Sequence, residues 1–136
     1  MPADPRPAVQ VFGRADSRET QKALRFFKER RVPVHYVDVA RKPPALGELR
    51  RFAQRLGVAA LVDSAGRRYR DLGLAYLRSS DDELLERLAA DPALLRLPLV
   101  RSGSSFSAGL AEPDWTAWIR GGDTAGPDAS GRTGRS

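Results

Sequence analysis

Cysteine is absent from all 136 residues of this chain. That absence excludes disulfides, thiolate metal sites and any reaction that runs through a cysteine sulfur. Histidine occurs once, at His35, so a multi-histidine metal centre is ruled out and a Ser–His pair has a single position to draw on. His35 falls in a strand-like stretch and reads as a strand residue with an ordinary hydrogen bond. Long apolar runs are missing too. Nothing approaches the ~20 residues that cross a bilayer, and the opening MPADPRPAV lacks the apolar core of a secretion signal. The expectation is a cytoplasmic protein without a membrane partner.

Concentrated charge of one sign is also lacking, although the formal net charge is +6. Residues 18–31 carry six basic and two acidic side chains, whereas 81–91 carry five acidic and one basic. A nucleic-acid binder gathers its positive charge around aromatics or a groove-reading motif. Neither is present, so these runs read as solvated helix faces and no nucleic-acid partner is expected.

What remains is the composition of one globular domain, 41% hydrophobic and 29% charged. Residues 1–7 contain three prolines and read as a flexible arm. Residues 121–136, GGDTAGPDASGRTGRS, hold no large apolar residue and read as a disordered tail. Between them, AVQVF (8–12) suits a buried strand. A turn follows at Gly13, and Asp16 or Ser17 can cap a helix whose inward face is Thr20, Ala23, Leu24 and Phe27. Pro33 stops that helix, and 34–39 alternates as a second strand. Strand–helix–strand at these lengths is a parallel βαβ unit.

Leu46, Leu49, Phe52, Ala53 and Leu56 mark a second helix, ended by Gly57. Residues 58–80 read as an irregular, partly helical insertion. A further helix starts at Asp81 or Asp82 and turns Leu84, Leu85 and Leu88 inward. Residues 98–101 and 104–107 form a hairpin across Ser102-Gly103. A last helix after Pro113 lays Trp115, Trp118 and Ile119 on the domain's own sheet. The predicted class is α/β: β-α-β, helical insertion, β-hairpin and C-terminal helix, with a mixed sheet flanked by helices.

Four segments carry a family resemblance. VFGRADSRETQKALRFFKERRVPVHYVDV (11–39) is similar to the opening of arsenate-reductase-like proteins, with Thr20, Lys22 and Ala23 fitting and Ser17 in the place of the family's cysteine. Leu61-Val62-Asp63 with Tyr69 and Leu72-Gly73-Leu74, DPALLRLPLV (91–100) and GLAEPDW (109–115) extend the likeness over residues 8 to about 120. The chain is identified as a divergent member of the arsenate reductase (ArsC)/Spx-like family of thioredoxin-fold proteins, some of which carry cysteine or selenocysteine at that position.

The resemblance implies a thioredoxin-like fold and a cis proline at Pro98 facing the start of the first helix. It makes Ser17 the position of the family nucleophile, with Thr20, Leu97 and Pro98 around a ligand, and Arg14 and Arg18 stand in the sequence where they can add charge for an acidic one. Lys22 is placed to add charge. The three arginines that hold the oxyanion in glutaredoxin-dependent arsenate reductases correspond to Gln21, Asp63 and Leu97. Arg96 and Arg70 lie nearby in sequence, but their shifted registers are expected to aim them elsewhere. The second cysteine of Spx-like regulators corresponds to Thr20.

A serine cannot cycle through a disulfide, and without a base it is a poor nucleophile. Ser17 therefore reads either as a helix cap worth about 1 kcal/mol or as part of a binding site at an amide-rich helix end. The expected function is a redox-inactive binding or regulatory module, its partner a protein or a glutathione-like thiol peptide. The alternative is a glutathione- or thioredoxin-linked oxidoreductase whose cysteine or selenocysteine is replaced by Ser17. No cofactor is expected; glutathione enters only as a co-substrate, and only if position 17 is natively cysteine or selenocysteine.

Overall fold

A computed structural model describes residues 8–120 of the chain. The expected arm (1–7) and tail (121–136) lie outside the described residues. Four strands form one sheet: β1 (Val9–Gly13), β2 (Val34–Asp38), β3 (Leu99–Ser102) and β4 (Ser105–Ala108), in the order β2-β1-β3-β4. β1 and β2 run parallel, joined by helix α1 (Arg18–Glu29), and β3 is antiparallel to both β1 and β4. The remaining helices are α2 (Leu46–Leu56), the short α3 (Arg67–Asp71), α4 (Asp81–Ala90) and α5 (Glu112–Ile119). Single 3-10 turns punctuate the middle at Val58–Leu61, Leu74–Tyr76 and Pro92–Leu94.

Strand alternation splits the core between the two faces of the sheet. Val9, Val11 and Val100 point to one face, where they meet Ala23, Phe26 and Phe27 of α1 and Trp115 and Trp118 of α5. Phe12 and Leu99 point to the other, against Leu49 and Phe52 of α2 and Leu85 and Leu88 of α4. Trp115 is fully buried between Phe26 and Phe27, and its Nε1–H donates to Ser107 Oγ at 2.9 Å. The tryptophans thus cover the domain's own sheet, as their spacing predicts.

Three boundaries differ from the sequence expectation, each for a local reason. α1 ends at Glu29, well before Pro33. Val32 N–H bonds back to Phe27 O and Arg31 N–H to Lys28 O, with Arg31 at φ 58°, so a left-handed Schellman turn closes the helix. The inward face of α1 also includes Phe26, while Leu24 is only half-buried, because α5 lies against the helix flank and widens its buried stripe. The hairpin is shifted one residue on, to 99–102 and 105–108. Pro98 has no N–H for the ladder, and Gly103 at φ 59° takes the turn position that demands a positive φ.

α4 begins at Asp81 as expected, but the cap is Ser80. Its Oγ accepts from Glu83 N–H at 3.1 Å while Glu83 Oε1 accepts from Ser80 N–H at 2.8 Å, a complete capping box. These hydrogen bonds to Ser80 hold the Glu83 carboxyl below its ordinary range. No helix among the described residues is long and apolar enough to cross a membrane.

Candidate ligand site at the head of α1

The site is assembled where β1 ends and α1 begins. After Gly13 the chain makes a tight turn in which Ser17 N–H donates to Arg14 O at 3.0 Å. Ser17 is then the N-cap, with extended backbone (φ −87°, ψ 121°) and its Oγ accepting from Thr20 N–H at 3.1 Å. Thr20 is fully buried, and its Oγ1 accepts from Arg14 N–H at 3.4 Å. A Cβ on Gly13 would fall 2.4 Å from Thr20 Cγ2, so only glycine lets the helix start this close to the strand end.

These bonds use two of the amides at the helix start. The N–H groups of Arg18 and Glu19 have no protein acceptor among the described residues. Both residues line a cavity of about 580 Å³, at the positive end of the helix dipole.

Its far wall comes from the segment that leads into β3. Asp63 N–H donates to Leu94 O at 2.9 Å and Arg96 N–H to Leu61 O at 2.8 Å, around a bridge between Val62 and Leu95. That short ladder ties the insertion to the chain before Pro98 and brings Asp63, Arg96 and Leu97 to the cavity. The Leu97–Pro98 peptide bond is cis, as the family resemblance implies. Pro98 O accepts from Gly109 N–H at 2.9 Å, which fixes the Gly109–Leu110 lip of the cavity. Neither the N–H nor the C=O of Leu97 has a protein partner among the described residues.

Most of the expected site residues converge here: Ser17, Arg14, Arg18 and Leu97 line the cavity. Three do not line it, and of these Lys22 lies further along the exposed face of α1. Thr20 is fully buried, its side chain packed on Gly13 and its amide donating to Ser17 Oγ. Pro98 is buried and serves as a support behind Leu97.

The sequence reading missed Arg96 and Gly109. Contrary to the register argument, Arg96 lines the cavity, its side chain folded over Gly109, where a Cβ would meet Nε at 2.7 Å. Arg70 does aim elsewhere, donating to Ala65 O at 2.7 Å, and Gln21 donates to Ala15 O at 3.0 Å. The sequence offers only the glycine at 109 as a signal; the structure holds it at φ 75°, a backbone without Cβ on which a long side chain can lie.

The charge balance of the cavity is mixed. Arg14 is held by Asp16 at 2.8 Å, whereas Arg18 and Arg96 have no carboxylate partner among the described residues. Asp63 opposes them from the far wall. No histidine lines the cavity, and His35 is exposed on β2, so Ser17 has no imidazole base beside it. No group of three or more His, Cys, Asp or Glu that could hold a metal ion occurs among the described residues.

Behind the loop, the hydroxyl of Tyr36 is buried without a hydrogen-bond partner. Burial, then the nearby charges of Asp38 and Asp16, raise its pKa above the ordinary value of 10.0.

Comparison with known proteins agrees with this architecture. The family model described as the ArsC family matches residues 12–118. YusI, an uncharacterised protein of Bacillus subtilis, is 29% identical over 96 residues, covering 68% of this chain and 81% of that protein. An arsenate reductase of Neisseria meningitidis is 28% identical over 106 residues, covering 76% and 91%. Among solved structures, an arsenate reductase from Vibrio cholerae matches with a TM-score of 0.71 at 20% identity, over 85% of this chain and 98% of its own. The fold is the thioredoxin-like one that the element order and the resemblance lead one to expect.

Proposed function

The chain belongs to the ArsC family, and we propose that within it this protein is a redox-inactive binding or regulatory module. Its ligand on this reading is a protein segment or a glutathione-like thiol peptide, held in the cavity at the head of α1 in a cytoplasmic setting. The observation that carries the reading is Ser17 itself. In a chain without cysteine, the residue at the nucleophile position spends its oxygen on capping the helix. A disulfide cycle has no sulfur to pass through.

The groups left unpaired around Ser17 are those of a receptor site. Two amides and two unpaired guanidinium groups favour a carboxylate. The free N–H and C=O of Leu97 favour an extended peptide backbone. Glutathione carries both features. The test is a titration of isotope-labelled protein with oxidised and with S-methylated glutathione. Shifts of the Ser17, Arg18 and Leu97 amides, without consumption of either compound, are expected. No shift with either peptide overturns the glutathione-like ligand.

One observation favours a second reading, a thiol-linked oxidoreductase, arsenate reductase-like or selenoprotein-like, whose nucleophile is replaced by Ser17. The Arg18 and Glu19 amides are open, as a thiolate at position 17 needs. Ser17→Cys separates the two. Sustained glutathione- or thioredoxin-dependent turnover, together with a thiol pKa below the usual ~8.5, establishes the second reading. Its absence leaves the first.

A further inference from the structure

The cavity does not end at its lip. Leu110, 42% exposed, is shared between the cavity and a second hollow of about 380 Å³ on the outer flank of α1. That hollow is lined by Lys22, Arg25 and Phe26 from α1 and by Glu112 from the start of α5, with Glu29 and Arg30 at its end. Arg18, Lys22 and Arg25 fall at i, i+4 and i+7, so they form one ridge running from the cavity into the second hollow.

The charges along the track are unequally satisfied. Arg30 lies over the Phe26 ring at 3.7 Å, donates to Phe26 O at 3.1 Å and approaches Glu29 at 3.9 Å. Glu112 sits in the first turn of α5, where a negative charge offsets the helix dipole. Arg18, Lys22 and Arg25 are exposed and have no ion-pair partner among the described residues. Arg18 moreover stands at the positive end of its own helix, where a cation is disfavoured. Glu29 thus has a cation beside it and Glu112 a helix end, whereas the ridge cations have no counter-charge among the described residues.

We propose that cavity and hollow form one continuous track for an extended acidic polypeptide segment of a protein partner. Its backbone pairs with the free N–H and C=O of Leu97, an apolar side chain rests on Leu110, and its carboxylates lie along Arg18, Lys22 and Arg25. This rests on the cavity being a binding site and names the chemistry of what binds there. A peptide suits the track better than a nucleic-acid strand. The Leu97 pair matches another main chain, and the half-exposed Leu110 offers an apolar rest, with no exposed aromatic there for base stacking.

The test uses a fluorescein-labelled ten-residue peptide with four glutamates and a central leucine, its glutamine counterpart, and a ten-nucleotide oligouridylate. The glutamate peptide is expected to bind, to weaken steeply with salt, and to shift the amides of Lys22, Arg25 and Leu110 together with Ser17 and Leu97. The double reversal Lys22→Glu/Arg25→Glu is expected to weaken it by about tenfold or more, mostly through the association rate. Leu110→Ser, which leaves every charge in place, is expected to weaken both peptides several-fold. Equal affinity for the glutamine peptide, no effect of the double reversal, or tighter binding of the oligouridylate overturns the proposal. Shifts confined to the cavity residues overturn the track while leaving the cavity as a binding site. Absence of shifts with this peptide, where glutathione still shifts Ser17 and Leu97, does the same.

Discussion

Two helices of this protein begin with a serine cap, and they begin differently. At α4, Ser80 and Glu83 exchange both bonds of a capping box, and the first turn is Asp81, Asp82 and Glu83, all carboxylates facing a positive helix end. At α1, Ser17 makes one cap bond, the matching third position is a buried threonine, and the first turn opens with Arg18. Both termini leave the first two helix amides without a protein acceptor among the described residues, but at α4 these belong to Asp81 and Asp82, whereas at α1 they belong to Glu19 and to Arg18, a cation that the dipole disfavours. The α4 terminus is balanced by its own carboxylates, whereas the α1 terminus carries a local electrostatic cost at Arg18, which the proposed binding site would turn to use.

The difference can be probed by substitution, starting from the largest effect. Gly13→Ala would drive a methyl into Thr20, a buried β-branched side chain with no room to turn. A loss of about 2–3 kcal/mol is expected in urea unfolding, accompanied by loss of any ligand binding at Ser17. A change below about 0.5 kcal/mol would show that the seat of α1 is looser than described. Ser80→Ala breaks a complete box and is expected to cost about 1–2 kcal/mol, against about 1 kcal/mol or less for Ser17→Ala. Equal losses would erase the contrast between the termini. The α4 box also has a pH signature. Because the Glu83 pKa is lowered in the fold, its contribution is present above the ordinary carboxylate value and fades as pH falls through the folded one.

Tyr36, behind the α1 loop, is expected to behave in the opposite sense. Its hydroxyl is buried without a partner, so Tyr36→Phe should raise stability by about 1 kcal/mol at neutral pH. The folded pKa is raised, so the unfolded chain loses its proton first. Stability of the parent should therefore fall as pH rises past 10.0, and the Phe variant should lack that component of the slope. Smallest in stability is Arg18→Glu. By replacing the cation beside Glu19 with a second carboxylate in the first turn of α1, it should add about 0.3–1 kcal/mol while removing affinity for carboxylate ligands. A gain in both would refute the trade between stability and binding at this terminus.

Much of this architecture is legible without coordinates. The βαβ unit, α2 ending at Gly57, and the inward faces of α4 and α5 follow from 3.6- and two-residue periodicities that tertiary packing does not override. Ser17 at a helix start follows from its neighbours. What periodicity cannot carry is the aim of single long side chains. Arg96 precedes Leu97 and by simple alternation should point away, yet it folds back over Gly109, a residue from the far end of the hairpin. Thr20 is the converse case. It is polar and three residues from Ser17, which suggests a ligand, but the space beneath it exists only because Gly13 has no side chain. Ser80 as the cap of α4 is a different case: Ser80-Asp81-Asp82-Glu83 ahead of Leu84 and Leu85 is the capping-box pattern, and it is legible in the sequence, although Asp81 and Asp82 compete for the helix start.

The bed that Gly109 makes for Arg96 has a genetic consequence. Position 109 combines φ 75° with a close guanidinium, so any L-residue there would be both strained and in collision with the arginine. Gly109→Ala would therefore evict a charge without deleting it: Arg96 remains in the chain, and the cavity loses it. The two positions should behave as one locus. The effect of Arg96→Ala on ligand affinity should nearly vanish in a Gly109→Ala background, even though the two lie 13 positions apart in the sequence.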